Sequence, residues 1–322
     1  MMTRSTTPSL RDHRIMVTGA TGFFGSHLCR RLREEGAEIF ATSRAARENV
    51  GARFRWLQAE LNDTSAVRRM LIDVRPDIVF HLSGIATAHS GLELVLPTLH
   101  TLLVSTVNVL TVAAEIGIAR VILAGSLQEP KPDHAEPTPS SPYAAAKWAS
   151  SAYGRMFRRI YGLPVVNLRV FQTYGPGQDV QKLIPYVTLA LLRQQRPELS
   201  NGKWEADWIY IDDVISGLLA AARTRDVPKR TIDIGSGSLI SVREIVMQLV
   251  HLTGSLATPI FGAMPDRPLE PVRVADVAGA QSALSWKPAV SMIEGLRLTV
   301  GAYRQTIDQA RRTDACSEAG PF

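Results

Sequence analysis

The feature that most constrains the fold is an alternation of short apolar strands and longer helices over the first half of the chain. Strands are predicted at 15–18, 38–42, 54–59, 77–82, 121–124 and 165–170, and helices at 26–35, 64–74, 92–116 and 143–161. Asp63 has the position of an N-cap for the second helix, and Pro97 interrupts the third early. Such alternation predicts an α/β fold, with a doubly wound parallel sheet and right-handed crossovers.

The chain changes character after Gly175, where many prolines divide it into short pieces. Such a stretch is typical of a smaller substrate lobe over the carboxyl edge of the sheet, and strands predicted at 208–211 and 231–234 indicate a return to the main sheet. We therefore expect a disordered tail over 1–12 and a dinucleotide-binding domain over 13–175, rejoined at about 207–236. The substrate lobe would be partly interleaved with it, over 176–206 and 237–310, and a second tail would cover 311–322.

A glycine-rich turn joins the first strand to the first helix, with the sequence Gly19-Ala20-Thr21-Gly22-Phe23-Phe24-Gly25. Gly19 allows the tight turn, Gly22 lets the backbone approach a pyrophosphate, and Gly25 permits close helix–strand packing. The helix N-terminus adds a partial positive charge. In this strand–turn–helix context the loop predicts a dinucleotide site in a Rossmann-type fold.

The end of the second strand bears on which dinucleotide binds. An acid there would accept a hydrogen bond from the ribose 2′-hydroxyl, whereas a basic residue accommodates a 2′-phosphate. The chain has Ser43 and Arg44 at this point, followed by Arg47, and no acid. This pattern favours NADP(H), with NAD(H) as the alternative.

An acid–base pair is predicted at the start of the helix over 143–161. Tyr143 and Lys147 are four residues apart and share a helix face, so the lysine ammonium is expected to lower the pKa of the phenol. Ser126 follows a strand and lies at the carboxyl edge of the sheet. It would hold a carbonyl oxygen that Tyr143 protonates as a hydride arrives.

Taken together, these motifs resemble the extended short-chain dehydrogenase/reductase family, the sugar-nucleotide epimerases, dehydratases and ketoreductases. The resemblance spans about residues 14–303. Besides the glycine loop it rests on Phe80-His81-Leu82-Ser83-Gly84, Ser126, Ser141-Pro142-Tyr143 with Lys147, residues 168–176, Tyr210-Ile211-Asp212-Asp213-Val214, Arg267-Pro268-Leu269-Glu270-Pro271 and Ala275-Asp276.

The resemblance implies which residues contact the ligands. Catalysis would fall to Ser126, Tyr143 and Lys147, and no metal is implied. The cofactor would meet Gly19, Thr21, Gly22, Phe23, Phe24, Ser43, Arg44, Glu60, Leu61, Leu82, Ser83, Gly84, Tyr143, Lys147 and Phe171. The substrate would meet Ser126, Gln128, Gln172 and Arg267. Asp212 and Asp213 are expected to cap the helix that starts near Val214.

Departures from the family pattern narrow the function. Dehydratases of the family have a carboxylate one or two residues after the active-site hydroxyl, where this chain has Leu127 and Gln128; Glu129 is expected to point elsewhere. An arginine that usually grips the substrate diphosphate is replaced by Ala206, and Lys203 or Lys182 would compensate. A nucleotide-diphosphate sugar stays the expected substrate class.

The expected function is NADPH-dependent reduction of a keto group on a sugar nucleotide of the 4-keto-6-deoxyhexose type. The alternative is an NAD-dependent sugar-nucleotide 4-epimerase, in which the cofactor is recycled. A non-catalytic dinucleotide-binding regulatory protein is a remote third alternative, because Ser126, Tyr143 and Lys147 are all present.

Composition excludes several other classes. The 322-residue chain has 36 basic and 30 acidic residues, a net charge of +6, and its arginines are scattered, so nucleic acid is not an expected partner. No apolar run approaches the ~20 residues of a membrane span. The two cysteines, Cys29 and Cys316, make no disulfide framework or metal site, which is typical of a cytoplasmic enzyme.

Two predicted helices have more apolar positions than a single buried face needs. These positions are Leu99, Leu102, Leu103, Val107 and Leu110 on the first helix, and Trp148, Tyr153, Met156 and Phe157 on the second. The substrate lobe or a neighbouring helix would cover the surplus in a monomer. We instead expect a homodimer in which both helices pair with their copies in a four-helix bundle.

Overall fold

The computed structural model describes residues 9–87, 89–130, 136–227, 231–266 and 271–318. The strands are β1 (Arg14–Thr18), β2 (Glu38–Ser43), β3 (Phe54–Gln58), β4 (Ile78–His81), β5 (Arg120–Ser126), β6 (Val165–Val170), β7 (Gln172–Tyr174), β8 (Glu198–Leu199), β9 (Glu205–Tyr210), β10 (Ile232–Ile234), β11 (Leu239–Ser241) and β12 (Ile260–Phe261). The helices are α1 (Phe23–Glu34), α2 (Thr64–Val74), α3 (Val95–Thr98), α4 (Ser105–Ile116), α5 (Pro142–Ile160), α6 (Leu183–Leu192), α7 (Ile211–Arg223), α8 (Val242–Thr253), α9 (Val277–Leu284) and α10 (Met292–Glu318).

Seven parallel strands form the central sheet in the order β10-β6-β5-β4-β1-β2-β3. The strand order reverses at β1, which pairs with β2 on one side and with β4 on the other. The loops that follow β1 and β4 therefore run in opposite directions from the carboxyl edge of the sheet. They form the crevice in which doubly wound sheets bind ligands. The doubly wound Rossmann-type prediction is confirmed.

Both faces of this sheet are buried, as parallel sheets require. Along β1, Ile15 and Val17 pack into one apolar cluster and Met16 packs into another on the opposite face. The cluster that contains Ile15 continues through α7 and α8 into the C-terminal part of the chain. One shared core thus joins the main sheet to the C-terminal part of the chain.

Two small sheets, β11-β9-β7 and β12-β8, lie outside the main sheet. Within the part of the chain that the structure describes, the return to the main sheet is made by β10, which pairs with β6. The strand predicted at 208–211 is real but belongs to β9, which pairs with β7 and β11 instead of the main sheet. Strand periodicity identifies a strand without saying which sheet it joins.

The segment Leu92–Ile116 is helical throughout, and Pro97 does not break it. It begins with a 3₁₀ turn, continues through α3 and a π-helical turn at Leu99–Val104, and ends with α4. Its length and mean hydropathy match those of a membrane span, contrary to the expectation that no apolar run approaches that length. Leu102 and Leu110 are nevertheless buried in the protein, so it is a core helix. The cytoplasmic location stays a prediction.

The structure differs from the expectations for the two tails and for Asp213, and agrees with the expectation for Asp63. Leu10 is buried in the core, so ordered packing begins inside the tail predicted over 1–12, and α10 continues to Glu318, past residue 311. Asp63 caps α2 as predicted, since its side chain accepts a hydrogen bond from the Ser65 N–H. Asp213, however, lies within α7, and its carboxylate accepts from the backbone of Ala289 and Val290 at 2.9 Å each.

Candidate active site

The glycine loop turns tightly between β1 and α1. Gly19 has φ +68°, which a side chain would strain, and the N–H of Gly22 donates to the Gly19 carbonyl at 2.9 Å. A Cβ atom at Gly25 would lie less than 3.0 Å from the Gly19 carbonyl oxygen. The N-cap, Gly22, makes no side-chain cap, and the first turn of α1 contains no acid. This cradle fits a dinucleotide pyrophosphate.

The loop after β4 forms the other wall of the crevice. A Cβ atom at Gly19 would lie 2.8 Å from the backbone of Leu82 and Ser83, so the two loops are in contact. Beneath them, the His81 ring lies between the hydroxyls of Thr18 and Thr106, at 2.9 and 3.1 Å. Burial lowers the pKa of His81 to about 3, so the ring is neutral and ties β4 to β1. The sequence motif that contains His81 does not by itself predict that its ring links β4 to β1.

Ser43, Arg44 and Arg47 gather at the end of β2. Arg44 is exposed, and its backbone carbonyl accepts from the side-chain amide of Gln58 on β3 at 3.0 Å. Arg47 donates to the Ser43 hydroxyl at 3.3 Å, and its guanidinium lies 5.1 Å from the Trp56 ring centroid. Two arginines therefore stand where the adenine ribose of a dinucleotide is expected.

The other predicted cofactor contacts differ in how far they are buried. Thr21, Gly84 and Glu60 are exposed, and Phe23 and Phe24 are half-buried with ring centroids 5.7 Å apart. Leu61 and Phe171 are buried in the core, and the Leu61 carbonyl accepts from the Asn108 amide at 2.9 Å. A direct contact between either of these two side chains and a dinucleotide stays a prediction.

Ser126, Tyr143 and Lys147 come together at the carboxyl end of β5. Ser141 caps α5, accepting from the Ala144 N–H at 3.1 Å, and so sets the first turn that contains Tyr143. The Tyr143 and Ser126 side chains are hydrogen-bonded. Lys147 donates to the Ala124 carbonyl at 2.7 Å, and its Nζ lies 6.0 Å from the Tyr143 ring centroid.

The protonation of this cluster differs from the expectation. Burial raises the pKa of Tyr143, and the negative charge of Glu129 raises it further, while the Ser126 hydrogen bond lowers it. The lowering of this pKa by Lys147 that the sequence predicts is not found: desolvation, which depends on the whole fold, has the largest effect and raises it. Burial lowers the pKa of Lys147 to about 8, against an opposing contribution from Glu129. The phenol is therefore neutral at neutral pH.

Glu129 is predicted to point away from the substrate. Its carboxylate lies beneath the site, where it accepts hydrogen bonds from the Ser126 N–H at 2.8 Å and from the Ser151 hydroxyl at 2.9 Å. Glu129 is buried, whereas Gln128 is half-buried. Gly125, next to Ser126, is a signal in the sequence for this orientation, because a Cβ atom there would lie less than 3.0 Å from Glu129 Oε1.

The predicted substrate residues are only partly described. Gln172 begins β7 and is half-buried, and the backbone N–H of Gln128 donates to the Ser126 hydroxyl at 3.2 Å. Arg267 lies outside the described residues. Beside Ala206, Asp207 accepts four hydrogen bonds, from Ser236 (twice), Gly237 and Ala275, and so holds the lobe together.

Comparison with known proteins agrees with this geometry. A model of the NAD dependent epimerase/dehydratase family matches residues 15–235. This chain belongs to that family. The resemblance to the extended short-chain dehydrogenase/reductases is thereby confirmed, and the protein is an enzyme of the NAD(P)-dependent oxidoreductase type.

Several family members are similar over their whole length. UDP-glucose 4-epimerase of Mycolicibacterium smegmatis is 28% identical over 90% of this chain and 98% of its own. UDP-glucose 4-epimerase of Thermotoga maritima, solved with UDP-glucose, has a TM-score of 0.82 and 27% identity, covering 91% of this chain and 99% of its own. MoeE5, solved with UDP-glucuronic acid and NAD, has a TM-score of 0.80 and 29% identity over the same shares.

Proposed function

We propose that this family member is an NADPH-dependent reductase of a 4-keto-6-deoxy sugar nucleotide. Two features support the reductive direction. The end of β2 has Ser43, Arg44 and Arg47 and no acid, which suits a 2′-phosphate. Tyr143 is neutral, the form that can donate a proton. The arginines at the end of β2 are the observation on which the proposal chiefly depends.

The residues divide the reaction between them. When bound, the reduced nicotinamide supplies the hydride that adds to the carbonyl carbon of the sugar. Tyr143 gives its hydroxyl proton to the carbonyl oxygen, and the Ser126 hydroxyl holds that oxygen in place. The Lys147 ammonium stabilises the phenolate that remains until a solvent proton restores it. A ketone and one proton thus become an alcohol, with the cofactor oxidised.

The substrate diphosphate needs cations, since Ala206 replaces the usual arginine. Lys182 donates to the Ala86 carbonyl at 3.2 Å and so bridges the lobe to the loop after β4, and Lys203 is exposed. We assign the diphosphate to these lysines together with Arg267. Gln128 and Gln172 would bind sugar hydroxyls.

An NAD-dependent 4-epimerase is the second candidate, favoured by the relatives named above. An epimerase would need Tyr143 as phenolate in its first, oxidative step, and it returns the hydride to the opposite face of the sugar. The two candidates differ in one measurable respect: a reductase consumes added NADPH in stoichiometric amounts, whereas an epimerase turns over with no added cofactor.

A direct assay distinguishes them. The purified protein is incubated with a panel of 4-keto-6-deoxy sugar nucleotides and NADPH, and separately with UDP-glucose and UDP-glucuronic acid without cofactor. Absorbance at the nicotinamide band and product NMR are followed. One NADPH oxidised per alcohol formed is the expected result. Interconversion of the UDP-sugars in the second arm, with no NADPH loss in the first, would favour the epimerase.

The cofactor preference gives a separate prediction. NADPH should bind more tightly than NADH, and Arg44→Asp should weaken NADPH binding by about 10–100-fold, because a charge-assisted phosphate contact is replaced by repulsion. NADH binding should change little. Fluorescence titration with both cofactors measures this.

Arg69→Asp is the matched control for that titration. Arg69 is exposed on α2, and the substitution changes net charge equally, so the preference should be unchanged. Equal affinities for NADPH and NADH in the unmodified protein would contradict the assignment of NADP(H).

We also propose the homodimer. Of the apolar residues expected at its interface, Leu102, Leu110 and Phe157 are buried in the protomer's own core. The remaining exposed apolar surface, called here the helix-pair face, consists of Leu92, Val95, Leu96, Leu99, Trp148 and Tyr153. An isologous pairing of two such faces would bury it.

Sedimentation at micromolar concentration should give a mass near twice the 35.2 kDa of one chain. Trp148→Glu should halve that mass, since a charge at a two-fold interface meets its own copy. Met247→Glu, at an exposed position on α8, should leave the dimer intact. A fully active species at monomer mass in the unmodified protein would refute the dimer.

A further inference from the structure

We propose that Glu129 is a positioning residue, whose buried negative charge beneath Ser126 holds Tyr143 and Lys147 in the protonated forms that the reduction uses. The inference rests on the proposed function for the role of Tyr143 as proton donor. It adds an ionised carboxylate that never touches the substrate.

The fold holds the Glu129 carboxylate in one place. Its Oε1 accepts from the Ser126 N–H at 2.8 Å and from the Ser151 hydroxyl of α5 at 2.9 Å, and its own N–H donates to the Ser126 carbonyl at 3.1 Å. A Cβ atom at Gly125 would lie less than 3.0 Å from Oε1, so the strand leaves room for the carboxylate only because this residue is glycine. The end of β5 is thereby clamped to α5.

The surroundings of Glu129 act on its ionisation in opposite senses. One oxygen accepts two hydrogen bonds, an arrangement suited to a carboxylate. Two cations act on it: Lys147 from α5, and Arg169 from β6, which also pairs with Asp233 of β10 at 2.7 Å. Burial is the largest influence and raises the pKa of Glu129 above its usual value, while the two hydrogen bonds and the two cations oppose that rise. A buried carboxylate with this many partners can retain its charge.

That charge acts on both catalytic groups in the same sense. It raises the pKa of Tyr143 by disfavouring the phenolate, and it raises the pKa of Lys147 by favouring the ammonium. The other titratable group facing Lys147 is His81 of β4, which is neutral. Without the carboxylate, both protons would be lost at lower pH, and the pH range in which the site can donate a proton would narrow from its alkaline side.

The first test measures Lys147 without any turnover. The chain is labelled with ¹³C at the lysine Cε, and the Lys147 resonance is identified as the one missing from Lys147→Arg. In the unmodified protein this resonance should titrate near pH 8. In Glu129→Gln it should titrate at a pH lower by about one unit or more, the size of shift that a neighbouring charge produces. Titration at the same pH in both proteins would overturn the proposal.

Two variants separate charge from structure. Ser151→Ala removes one hydrogen bond to Glu129 but keeps the charge, so the Lys147 titration should stay close to that of the unmodified protein. Glu35→Gln removes a partly buried carboxylate at the C-terminal end of α1, paired with Arg223, and should also leave it unchanged. Equal shifts in Glu129→Gln and Ser151→Ala would make Glu129 a merely structural group.

A measurement on the unmodified protein covers the case in which Glu129→Gln does not fold. With ¹³C at the glutamate Cδ, the Glu129 resonance is identified as the one missing from Glu129→Asp. It should stay at the carboxylate position from pH 6 to 9. A protonated carboxyl in this range would overturn the proposal directly.

The pH profile of kcat/KM for NADPH-dependent reduction gives a functional readout, through the pH at which kcat/KM falls on its alkaline limb. It should move to lower pH in Glu129→Gln by about the same amount as the Lys147 titration. If the protein reduces no keto sugar, the proposed function fails, while the NMR titrations still decide the role of Glu129. If reduction occurs and the alkaline limb of its pH profile is the same in Glu129→Gln, Glu129 has no part in proton donation.

Discussion

Tyr143→Phe is expected to lower kcat by about 10²–10⁴-fold, the usual contribution of a positioned general acid. Phenylalanine keeps the ring that packs 6.0 Å from Lys147 Nζ and loses only the hydroxyl that Ser126 contacts. Cofactor affinity should therefore stay nearly unchanged. Steady-state rates with a 4-keto sugar nucleotide and fluorescence titration of NADPH measure the two effects separately.

Tyr161→Phe is the matched control, because Tyr161 ends the same helix and is exposed. It should retain the full rate. If Tyr143→Phe kept its rate within tenfold, a barrier change below ~1.4 kcal/mol, another group would have to supply the proton.

Gly25→Ala is the second substitution with a large expected effect. Its Cβ would fall within 3.0 Å of the Gly19 carbonyl and of the Ala20 Cα, both backbone atoms that no side-chain rotation can move away. Overpacking of this kind typically costs about 1–3 kcal/mol of unfolding free energy. The glycine loop must also shift, so cofactor affinity should fall by at least tenfold, or about 1.4 kcal/mol. Thermal unfolding and cofactor titration measure the two losses.

Gly301→Ala makes the same chemical change on α10, where the added carbon meets nothing within 4 Å. It should stabilise the protein by about 0.5–1 kcal/mol, since alanine is the better helix former. Equal behaviour of the two variants would mean that the close approach of α1 to the loop has no energetic consequence.

The sequence predicts the order of strands and helices well because the pattern is local. The helix 64–74 and its Asp63 cap, and the strand 165–170, need only nearby residues to be recognised, and both have the expected bounds. The convergence of Ser126, Tyr143 and Lys147 was also predictable. Parallel strands end at one edge of a sheet, and a four-residue spacing keeps two side chains on one helix face.

Features that depend on distant residues were not predictable. The orientation of Glu129 is set by Ser151, far along the chain, and the inward packing of Leu61 and Phe171 is set by the core. Burial decides the pKa of Tyr143, and burial belongs to the whole fold. A strand pattern such as that of β9 likewise contains no information about its pairing partners.

The late return of the chain through β10 has a consequence for protein synthesis. β10 completes one edge of the seven-stranded sheet beside β6, yet about sixty residues separate the two strands along the chain. While the ribosome is still translating the lobe, β6 is left with an unpaired edge, which is an aggregation hazard. The seven-stranded sheet therefore cannot be completed cotranslationally before residue 234 emerges, and a nascent chain released at 175 would lack one of its edge strands.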